Sequence, residues 1–416
     1  MPSRQETITR FGRNLLAVVS LTAAFGTSSA ASQPSSPEHQ PGPTDCGSCL
    51  LGADQAQMLG RQAAIGLQPN SIGQNTSQPV MEPHLSIGSE DDSAVASANQ
   101  ARIATATKQA RSMGDTSWRD ILYPKDVLKQ RWGRYDLSVS NAINEGLDVN
   151  ITLACNDEHW TDSQFKRYVS SAVQRYDKLG VRNYSICNEP NFPGWLNPMP
   201  GKTLPQTYRS LYTDGYSAVK QQAQKDGVND QVSIFELSSE IWPLKFIKQT
   251  LACPPPKSST CTPLLANEVA YHPYSLTTPP TQPSKTPGEV GMGSLVLLEN
   301  LVKSEYDAGR LETPDGQEPK LGLDEFAYQV KTSKDAARKH GRALPDSVRR
   351  EYYREDLQIA CLDPNIVRII FYGLESPPPH SQGTWNSALI RPGGAPYGSL
   401  YVIQSFAIDH PDCVIR

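Results

Sequence analysis

The strongest constraint on the fold is a regular alternation of short apolar runs with longer segments of helical periodicity, which continues from about residue 82 to the end of the sequence. Apolar runs of about four to eight residues predict buried strands, whereas apolar residues spaced three and four apart predict helices. Eight strands are predicted, at residues 83–88, 115–122, 148–154, 181–187, 231–237, 268–271, 320–326 and 366–372. Eight helices alternate with them, at residues 94–113, 137–145, 162–179, 208–219, 244–251, 294–306, 348–361 and 401–406.

Strands that alternate with helices predict a parallel sheet that is built by right-handed crossovers and buried on both faces. Eight such units in about 335 residues favour an α/β fold of the (β/α)8 TIM barrel type, forming a single domain, over an open doubly wound sheet. An open sheet that binds a dinucleotide carries a glycine-rich turn after its first strand. Here the residues after Ile87 read Gly-Ser-Glu-Asp-Asp without a second glycine, so neither a nicotinamide nor a flavin is expected, and no cofactor is predicted.

Composition narrows the classes of partner. Hydrophobic residues make up 38% of the chain, which is enough for a large core and excludes disorder throughout. The 39 basic and 43 acidic residues leave a formal charge of −4, and a nucleic-acid partner is not expected because phosphate contacts need a basic surface. The sequence does not indicate the oligomeric state.

The N-terminal segment has the pattern of a secretory signal. Three arginines precede an apolar run over residues 15–25, and small residues follow at 28–31. We therefore predict a signal peptide at residues 1–30 and a secreted protein, extracellular or periplasmic, although a signal-like helix that is kept is an alternative. Residues 31–80 are rich in Ser, Pro, Gln and Gly and predict a linker or loosely packed arm, with the barrel at 81–416. No apolar stretch reaches about 18 residues, so no membrane span is predicted.

The sequence contains eight cysteines, and an even number in an exported chain favours disulfides over metal. Cys253 and Cys261 enclose a proline-rich segment that reads as a small stapled loop. Cys46 and Cys49 form a lone C-x-x-C motif in a stretch without the strand and helix of a redox site. The pairs Cys155–Cys187 and Cys361–Cys413 are possible, but spacing alone leaves the connectivity open.

Polar residues occupy the carboxyl ends of several predicted strands, which is where (β/α)8 barrels build their active sites. In chain order they are Arg119, Asn156, His159, Asn188, Glu189, His272, Tyr274, Asp324 and Glu325, with Trp385 in the last loop.

Two of these residues are glutamates at the ends of the fourth and seventh strands. Glu189 and Glu325 lie 136 positions apart in the chain, but their strands face each other across an eight-stranded barrel. Two inward carboxylates there can approach to about 5–5.5 Å, the separation of retaining glycoside hydrolysis. One must be protonated to donate to the leaving oxygen, and the other must be ionised to attack the anomeric carbon. The alternative is that each is an ordinary loop or ion-pair residue, and that Asn-Glu-Pro-Asn at 188–191 is a turn.

Four segments resemble clan A glycoside hydrolases, which are (β/α)8 retaining enzymes. Residues 184–191 read Tyr-Ser-Ile-Cys-Asn-Glu-Pro-Asn, similar to their acid/base segment, and residues 270–274 read Ala-Tyr-His-Pro-Tyr, similar to their sixth strand. Residues 323–329 read Leu-Asp-Glu-Phe-Ala-Tyr-Gln, similar to their nucleophile segment, and residues 385–397 resemble their final stretch. The resemblance spans about residues 82–410 and is nearest to the cellulase-like and xylosidase-like bacterial members.

The resemblance implies roles for the matched positions. Glu189 is expected to be the general acid/base and Glu325 the nucleophile. Asn188 is expected to bind the sugar 2-hydroxyl, while His272 or Tyr274 orients Glu325 and Arg119 hydrogen-bonds its carboxylate. The remaining expected substrate-binding residues are Asn156, and Trp195 and Trp385 as candidate stacking platforms.

Three positions depart from the family pattern. Asp324 stands where Thr or Ser usually precedes the nucleophile and adds a third acid. Cys187 stands where Trp is common. Residues 372–375 read Tyr-Gly-Leu-Glu at a strand end where many members place a stacking Trp, and Trp385 is a candidate substitute.

These observations predict a secreted retaining glycoside hydrolase that acts on a β-linked oligo- or polysaccharide, with carbohydrate as its partner. A catalytically silent barrel that binds carbohydrate is the alternative. A Schiff-base or phosphate-binding barrel enzyme lacks the strand-end lysine or glycine-rich loop that it needs. A metal hydrolase needs clustered ligands, whereas the seven histidines are scattered, so no metal is predicted.

Overall fold

The computed structural model describes residues 82–156, 159–252, 262–331, 343–376 and 385–416. The predicted signal peptide, the arm at 31–80, the Cys46–Cys49 motif and the Cys253–Cys261 loop lie outside the described residues. The domain boundaries based on the first two of these therefore stay predictions.

Eight parallel strands close into a barrel, as the sequence predicted. They are β1 (Ser86–Glu90), β2 (Ser117–Leu122), β3 (Asp148–Leu153), β4 (Asn183–Ile186), β5 (Gln231–Ser238), β6 (Glu268–His272), β7 (Lys320–Phe326) and β8 (Ile366–Tyr372). Each strand pairs with its neighbours in chain order, and β8 pairs with β1 to complete the ring. The carboxyl ends of all eight strands therefore meet at one mouth of the barrel.

Two irregularities at this mouth affect the site. In the β5–β6 ladder, Phe235 pairs with Ala270 and Leu237 with Tyr271, so Glu236 is an extra residue on β5. In the β7–β8 ladder the register also shifts between the Leu323 and Phe326 pairings. An extra residue bends a strand and redirects its side chains.

Helices surround the barrel. Within the described residues they are α1 (Asp92–Ser97), α2 (Gln100–Ser112), α3 (Pro124–Val127), α4 (Gly133–Asn144), α5 (Asp162–Tyr176), α6 (Leu204–Asp226), α7 (Pro243–Leu251), α8 (Leu295–Asp307), α9 (Asp346–Leu362) and α10 (Gly398–Asp409). None of the described helices is both long and apolar enough to span a membrane. Leu264–Leu265 and Leu311–Glu312 form a separate two-stranded sheet.

Local sequence accounts for the helix ends. Thr161 and Gln164 form a capping box at the start of α5, and Gly180 ends the following 3-10 turn in the left-handed conformation. The predicted helix at 94–113 is in fact two helices, because Ala98 takes a positive φ of 50° and Asn99 caps α2 by accepting from the Arg102 amide.

An ionic layer fills the barrel beneath the mouth. Arg368 on β8 donates from Nε to Oδ1 of Asp324 at 2.8 Å and pairs with Glu268 at the start of β6. A Cβ at Gly322 would lie 2.0 Å from Oε1 of Glu268, so glycine makes room for this layer. Asp324 is thus held by Arg368, and the extra acid seen in the sequence belongs to this ionic layer.

Two of the possible disulfides are present. Cys155 and Cys187 join the ends of β3 and β4, with 4.9 Å between their Cα atoms. Cys361 and Cys413 join α9 to the C-terminal segment, with 5.6 Å between their Cα atoms. The first bond is part of the barrel mouth, and the second lies away from it.

Candidate active site

The barrel brings the two predicted glutamates together. Glu189 follows β4 and Glu325 lies near the end of β7, and both are half-buried. One oxygen of each carboxylate and one nitrogen of His272 all lie within 4.8 Å of one another. The carboxylates are therefore too close for the water that inverting glycosidases place between them, and close enough for the retaining arrangement.

A buried arginine organises the floor of the site. Arg119 on β2 donates from Nη1 to Oε2 of Glu325 at 2.9 Å, and from Nη2 to Oδ1 of Asn188 at 2.7 Å. It also donates to Oε1 of Glu236 at 2.8 Å and pairs with Glu90. The rigid fork of donors on a guanidinium suits it to several carboxylates at once, and Arg119 holds the orientation of Glu325 from below.

His272, at the end of β6, lies between the two glutamates. Its Nδ1 is 3.2 Å from Oε1 of Glu189 and 3.8 Å from Oε2 of Glu325, and its Nε2 is 3.8 Å from Oε1 of Glu236. Burial works to lower the pKa of His272, but these three carboxylates outweigh it and raise that pKa to about 10. The imidazole is therefore a cation near neutral pH.

Tyr274 completes the support of Glu325. Its hydroxyl donates to Oε1 of Glu325 at 2.7 Å, so each oxygen of this carboxylate accepts a hydrogen bond. The Tyr274 ring meets Trp385 edge to face, with 5.3 Å between ring centroids. The Nε1 of Trp385 is buried without an acceptor among the described residues.

The turn that carries Glu189 has an unusual backbone. Cys187 and Glu189 both have positive φ, 67° and 39°, which is uncommon for residues with a Cβ. The Cys155–Cys187 disulfide fixes one side of the turn, and the Glu189 amide donates to the Glu236 carbonyl at 3.0 Å. Asn191 attaches the other side to β5, because its amide group exchanges hydrogen bonds with the backbone of Ser238.

The two glutamates have different surroundings. Burial raises the pKa of Glu189, and the hydrogen bond and positive charge of His272 oppose that rise without cancelling it. Glu325 instead accepts hydrogen bonds from a guanidinium and a phenol. Glu189 is accordingly suited to hold a proton, whereas Glu325 is held in place by two hydrogen-bond donors.

The remaining predicted residues lie at the same mouth with less direct contacts. Asn188 is buried and touches Arg119, while Asn156 is buried just beyond β3. Trp195 is half-buried and stacks on Tyr123, with 6.4 Å between ring centroids. His159 is exposed.

Sequence reasoning missed two acids of the site. Glu236 is buried inside β5, where burial works to raise its pKa but Arg119 and His272 lower it overall. Glu90 is buried at the end of β1, and burial raises its pKa well above the usual value despite Arg119. A glutamate within the apolar run Ile-Phe-Glu-Leu at 234–237 was the available signal for Glu236.

The site also has the spacing of a possible metal centre. Among the described residues, the group close enough to hold a metal ion consists of Glu189, His272 and Glu325. The nitrogen that faces both carboxylates is Nδ1 of His272, and the raised pKa keeps this ring protonated. A metal ion would have to displace that proton, so the group fits a hydrogen-bonded triad better than a metal centre.

No family model and no curated protein match this sequence. Solved structures do match it. A family 39 glycoside hydrolase from the gut symbiont Bacteroides cellulosilyticus WH2 has a TM-score of 0.53 at 15% identity, covering 77% of this chain. The match covers 63% of that chain, so this protein spans less than two thirds of its length.

Two GH5_18 structures match over most of both chains. The Streptomyces cattleya protein in complex with GlcNAc has a TM-score of 0.52 at 11% identity, covering 79% of this chain and 80% of that one. A Bifidobacterium longum protein in complex with Manb1-4GlcNAc has a TM-score of 0.51 at 14% identity, covering 80% and 79%. The chain therefore has the (β/α)8 fold that clan A glycoside hydrolases share, as its sequence predicted.

Proposed function

We propose that this protein is a retaining glycoside hydrolase that cleaves β-linked oligo- or polysaccharides by double displacement. The observation that carries the proposal is the approach of the Glu189 and Glu325 carboxylate oxygens to within 4.8 Å across the barrel mouth. Retaining enzymes hold their two carboxyl groups about 5–5.5 Å apart, and inverting enzymes hold theirs about 6.5–9.5 Å apart.

In the first step, Glu325 attacks the anomeric carbon and the bond from that carbon to the leaving oxygen breaks. Glu189 gives its proton to the leaving oxygen as the covalent glycosyl-enzyme forms. In the second step, Glu189 takes a proton from water, and the water oxygen displaces Glu325. The anomeric carbon is inverted twice, so the product keeps the β configuration.

The surrounding residues support this division of roles. Arg119 and Tyr274 each donate a hydrogen bond to one oxygen of Glu325 and so fix the orientation of the proposed nucleophile. Burial favours the protonated form of Glu189. Because Asn188 accepts from Arg119 through Oδ1, its amide nitrogen remains to donate to a sugar hydroxyl, and Asn156, Trp195 and Trp385 are proposed to contact the sugar.

A substrate panel tests the proposal. Purified protein is incubated with 4-nitrophenyl β-glycosides and polysaccharides, alongside Glu189→Gln and Glu325→Gln variants, and NMR records the anomer that forms first. We expect turnover by the wild-type protein alone, with the β anomer first. Carbohydrate binding without hydrolysis would favour the silent barrel, and α anomer first would contradict double displacement.

We also propose that the protein is exported. The charged, apolar and small-residue pattern of residues 1–31 supports this, as do the two disulfides, which persist in oxidising compartments. Mass spectrometry of secreted protein should find an N-terminus near Ala31, and an intact Met1 would contradict cleavage.

A further inference from the structure

Trp242 is an exposed aromatic residue at the mouth of the barrel. All six tryptophans are among the described residues, and Trp242, with 56% of its surface accessible, is the exposed one of the six. It follows β5 by four positions and directly precedes Pro243, the first residue of α7. It therefore lies in a loop at the carboxyl ends of the strands, the side on which the glutamates meet.

The structure holds this ring in a defined position. Trp242 has φ 47° and ψ 50°, a left-handed conformation unfavourable for a residue with a Cβ. A Cβ built on Gly288 would lie 2.4, 2.6 and 2.8 Å from three consecutive atoms of the indole six-membered ring. Such similar distances place Gly288 over the face of the ring, since an approach in the ring plane would leave the two flanking atoms much farther away.

The loop is attached to the catalytic turn. Asn191, two residues after Glu189, donates from Nδ2 to the carbonyl of Ile241 at 3.1 Å, and Ile241 adjoins Trp242. On the other side, the hydroxyl of Ser239 donates to the carbonyl of Tyr274 at 2.8 Å. The Asn191 side chain thus connects the Trp242 loop to the Glu189 turn, and Ser239 connects the same loop to Tyr274, which supports Glu325.

We propose that Trp242 is a binding platform for a sugar ring on the leaving-group side of the scissile bond. The inference rests on the proposed function, in which Glu189 protonates the leaving oxygen. The leaving group therefore extends past Glu189, and Trp242 belongs to the loop that Asn191 fastens to the Glu189 turn. Gly288 covers one face of the indole, and the opposite face is the one that we propose packs against the C–H face of one pyranose.

The surroundings of the ring favour a saccharide over a protein surface. Lys245 on α7 is exposed, and so are Gln282 and Lys285 in the segment that leads to Gly288. Pro283 and Pro287 are also exposed in that segment, but Trp242 is the exposed large hydrophobic side chain of this loop and of residues 282–288, whereas protein docking sites expose larger contiguous apolar patches.

Trp242→Asn is the informative variant, because asparagine tolerates the left-handed backbone while removing the ring. Trp242→Phe retains an aromatic face. Tyr401→Ala is the matched control, since Tyr401 is 53% exposed on the outer helix α10. The substrates are the β-fluorides of glucose, galactose, mannose and xylose, which have no sugar leaving group, and the matching β-1,4-linked disaccharides.

We expect Trp242→Asn to keep wild-type kcat/KM for the fluoride and to lose about tenfold in kcat/KM for the disaccharide, equivalent to about 1.4 kcal/mol. Trp242→Phe should lose less, and Tyr401→Ala nothing. Equal losses on both substrates, or no loss on either, would overturn the platform. The platform would also be overturned if the wild-type enzyme hydrolysed the fluorides but none of the disaccharides.

If the proposed function is wrong, the result differs, because the wild-type protein then hydrolyses neither the fluorides nor the disaccharides. Affinity electrophoresis in gels containing β-1,4-linked glucan, mannan, galactan or xylan then decides the question. A platform requires that one of these polysaccharides retard the wild-type protein more than Trp242→Asn, and equal mobility in all four gels would overturn it.

Discussion

The Nδ1 of His272 lies 3.2 Å from Oε1 of Glu189, so a buried cation touches the side chain that we propose as the general acid. The same nitrogen is 3.8 Å from Oε2 of Glu325. Burial raises the pKa of Glu189, and His272 limits the rise. Burial and His272 are therefore the largest opposing effects on the pKa of Glu189, and the effect of His272 can be removed by mutation.

Replacing His272 with Asn should move the alkaline limb of the kcat/KM profile to higher pH. Asparagine keeps a hydrogen-bonding group but removes the charge, so the pKa of Glu189 should rise and the acid should stay protonated at higher pH. An opposite charge at this distance shifts a carboxyl by about 1–3 pH units. The pH dependence of glycoside hydrolysis measures the shift.

Tyr274→Phe is the control for that experiment. It removes the hydrogen bond to Glu325 at 2.7 Å but leaves the His272 cation in place. Its rate should fall while its alkaline limb stays at the wild-type pH. An unchanged limb in His272→Asn would show that the histidine does not control Glu189.

The Glu189→Gln and Glu325→Gln variants should differ in their dependence on the leaving group. Glu189→Gln should lose about 10²–10⁴-fold on substrates that need protonation, and much less on glycosyl fluorides, whose leaving group departs without an acid. Glu325→Gln should lose activity on both. Thermal melting should show midpoints within a few degrees of wild type, because both side chains are partly solvated.

Azide assigns the two roles independently. In Glu325→Gly, azide attacks in place of the missing nucleophile and should give the α-glycosyl azide. In Glu189→Gly, azide attacks the glycosyl-enzyme and should give the β-glycosyl azide. NMR of the products distinguishes these outcomes, and exchanged configurations would reverse our assignment.

The sequence predicts the barrel well because each strand is marked by a pattern in residues that are neighbours in the chain. Each strand is a short apolar run between polar ends, and the ends of parallel strands meet at one mouth. This places Glu189 and Glu325 together without any knowledge of their contacts. Arg119 was expected at the end of the second strand but lies inside β2, and its contact with Glu325, at 2.9 Å, is the one that the family resemblance implied.

The residues that sequence reasoning missed depend on non-local pairing. Glu236 enters the barrel because β5 has one residue more than β6 opposes, and such a bulge is decided by the partner strand. Glu90 lies in β1 because that strand runs from Ser86 to Glu90 and not over 83–88, a shift set by pairing with β8. The sequence shows Asp324 only as an extra acid beside Glu325, because its partner Arg368 lies on another strand, β8.

Removing Arg119 should destabilise the whole barrel. Arg119 is fully buried among Glu90, Glu236 and Glu325, and Arg119→Met leaves these carboxylates without their guanidinium partner. Breaking a buried ion pair from one side costs about 3–5 kcal/mol of unfolding free energy. Urea denaturation measures this loss.

The loss in Arg119→Met should be larger at pH 8 than at pH 5. Without the guanidinium the pKa values of Glu90 and Glu236 rise in the folded state, because Arg119 lowers both. Protons then stabilise the folded variant as the pH falls.

Arg175→Met, which breaks a surface pair with Asp136, is the control and should cost less than about 1 kcal/mol of unfolding free energy. Equal losses of unfolding free energy in the two variants would mean that the buried ion pairs of Arg119 contribute no more to stability than a surface pair.

The two disulfides provide a matched pair for the last prediction. Their sequence separations are 32 and 52 residues, so removing either should lower the unfolding free energy by a similar amount, about 3–4 kcal/mol. Only the Cys155–Cys187 bond fixes the turn before Asn188 and Glu189. The double variant Cys155→Ala/Cys187→Ala should therefore also lose activity on the order of tenfold or more, because small misplacements of a catalytic group are costly. Cys361→Ala/Cys413→Ala should keep the wild-type kcat at temperatures where it is folded, and equal kcat in the two double variants would sink the idea that the first disulfide positions Glu189.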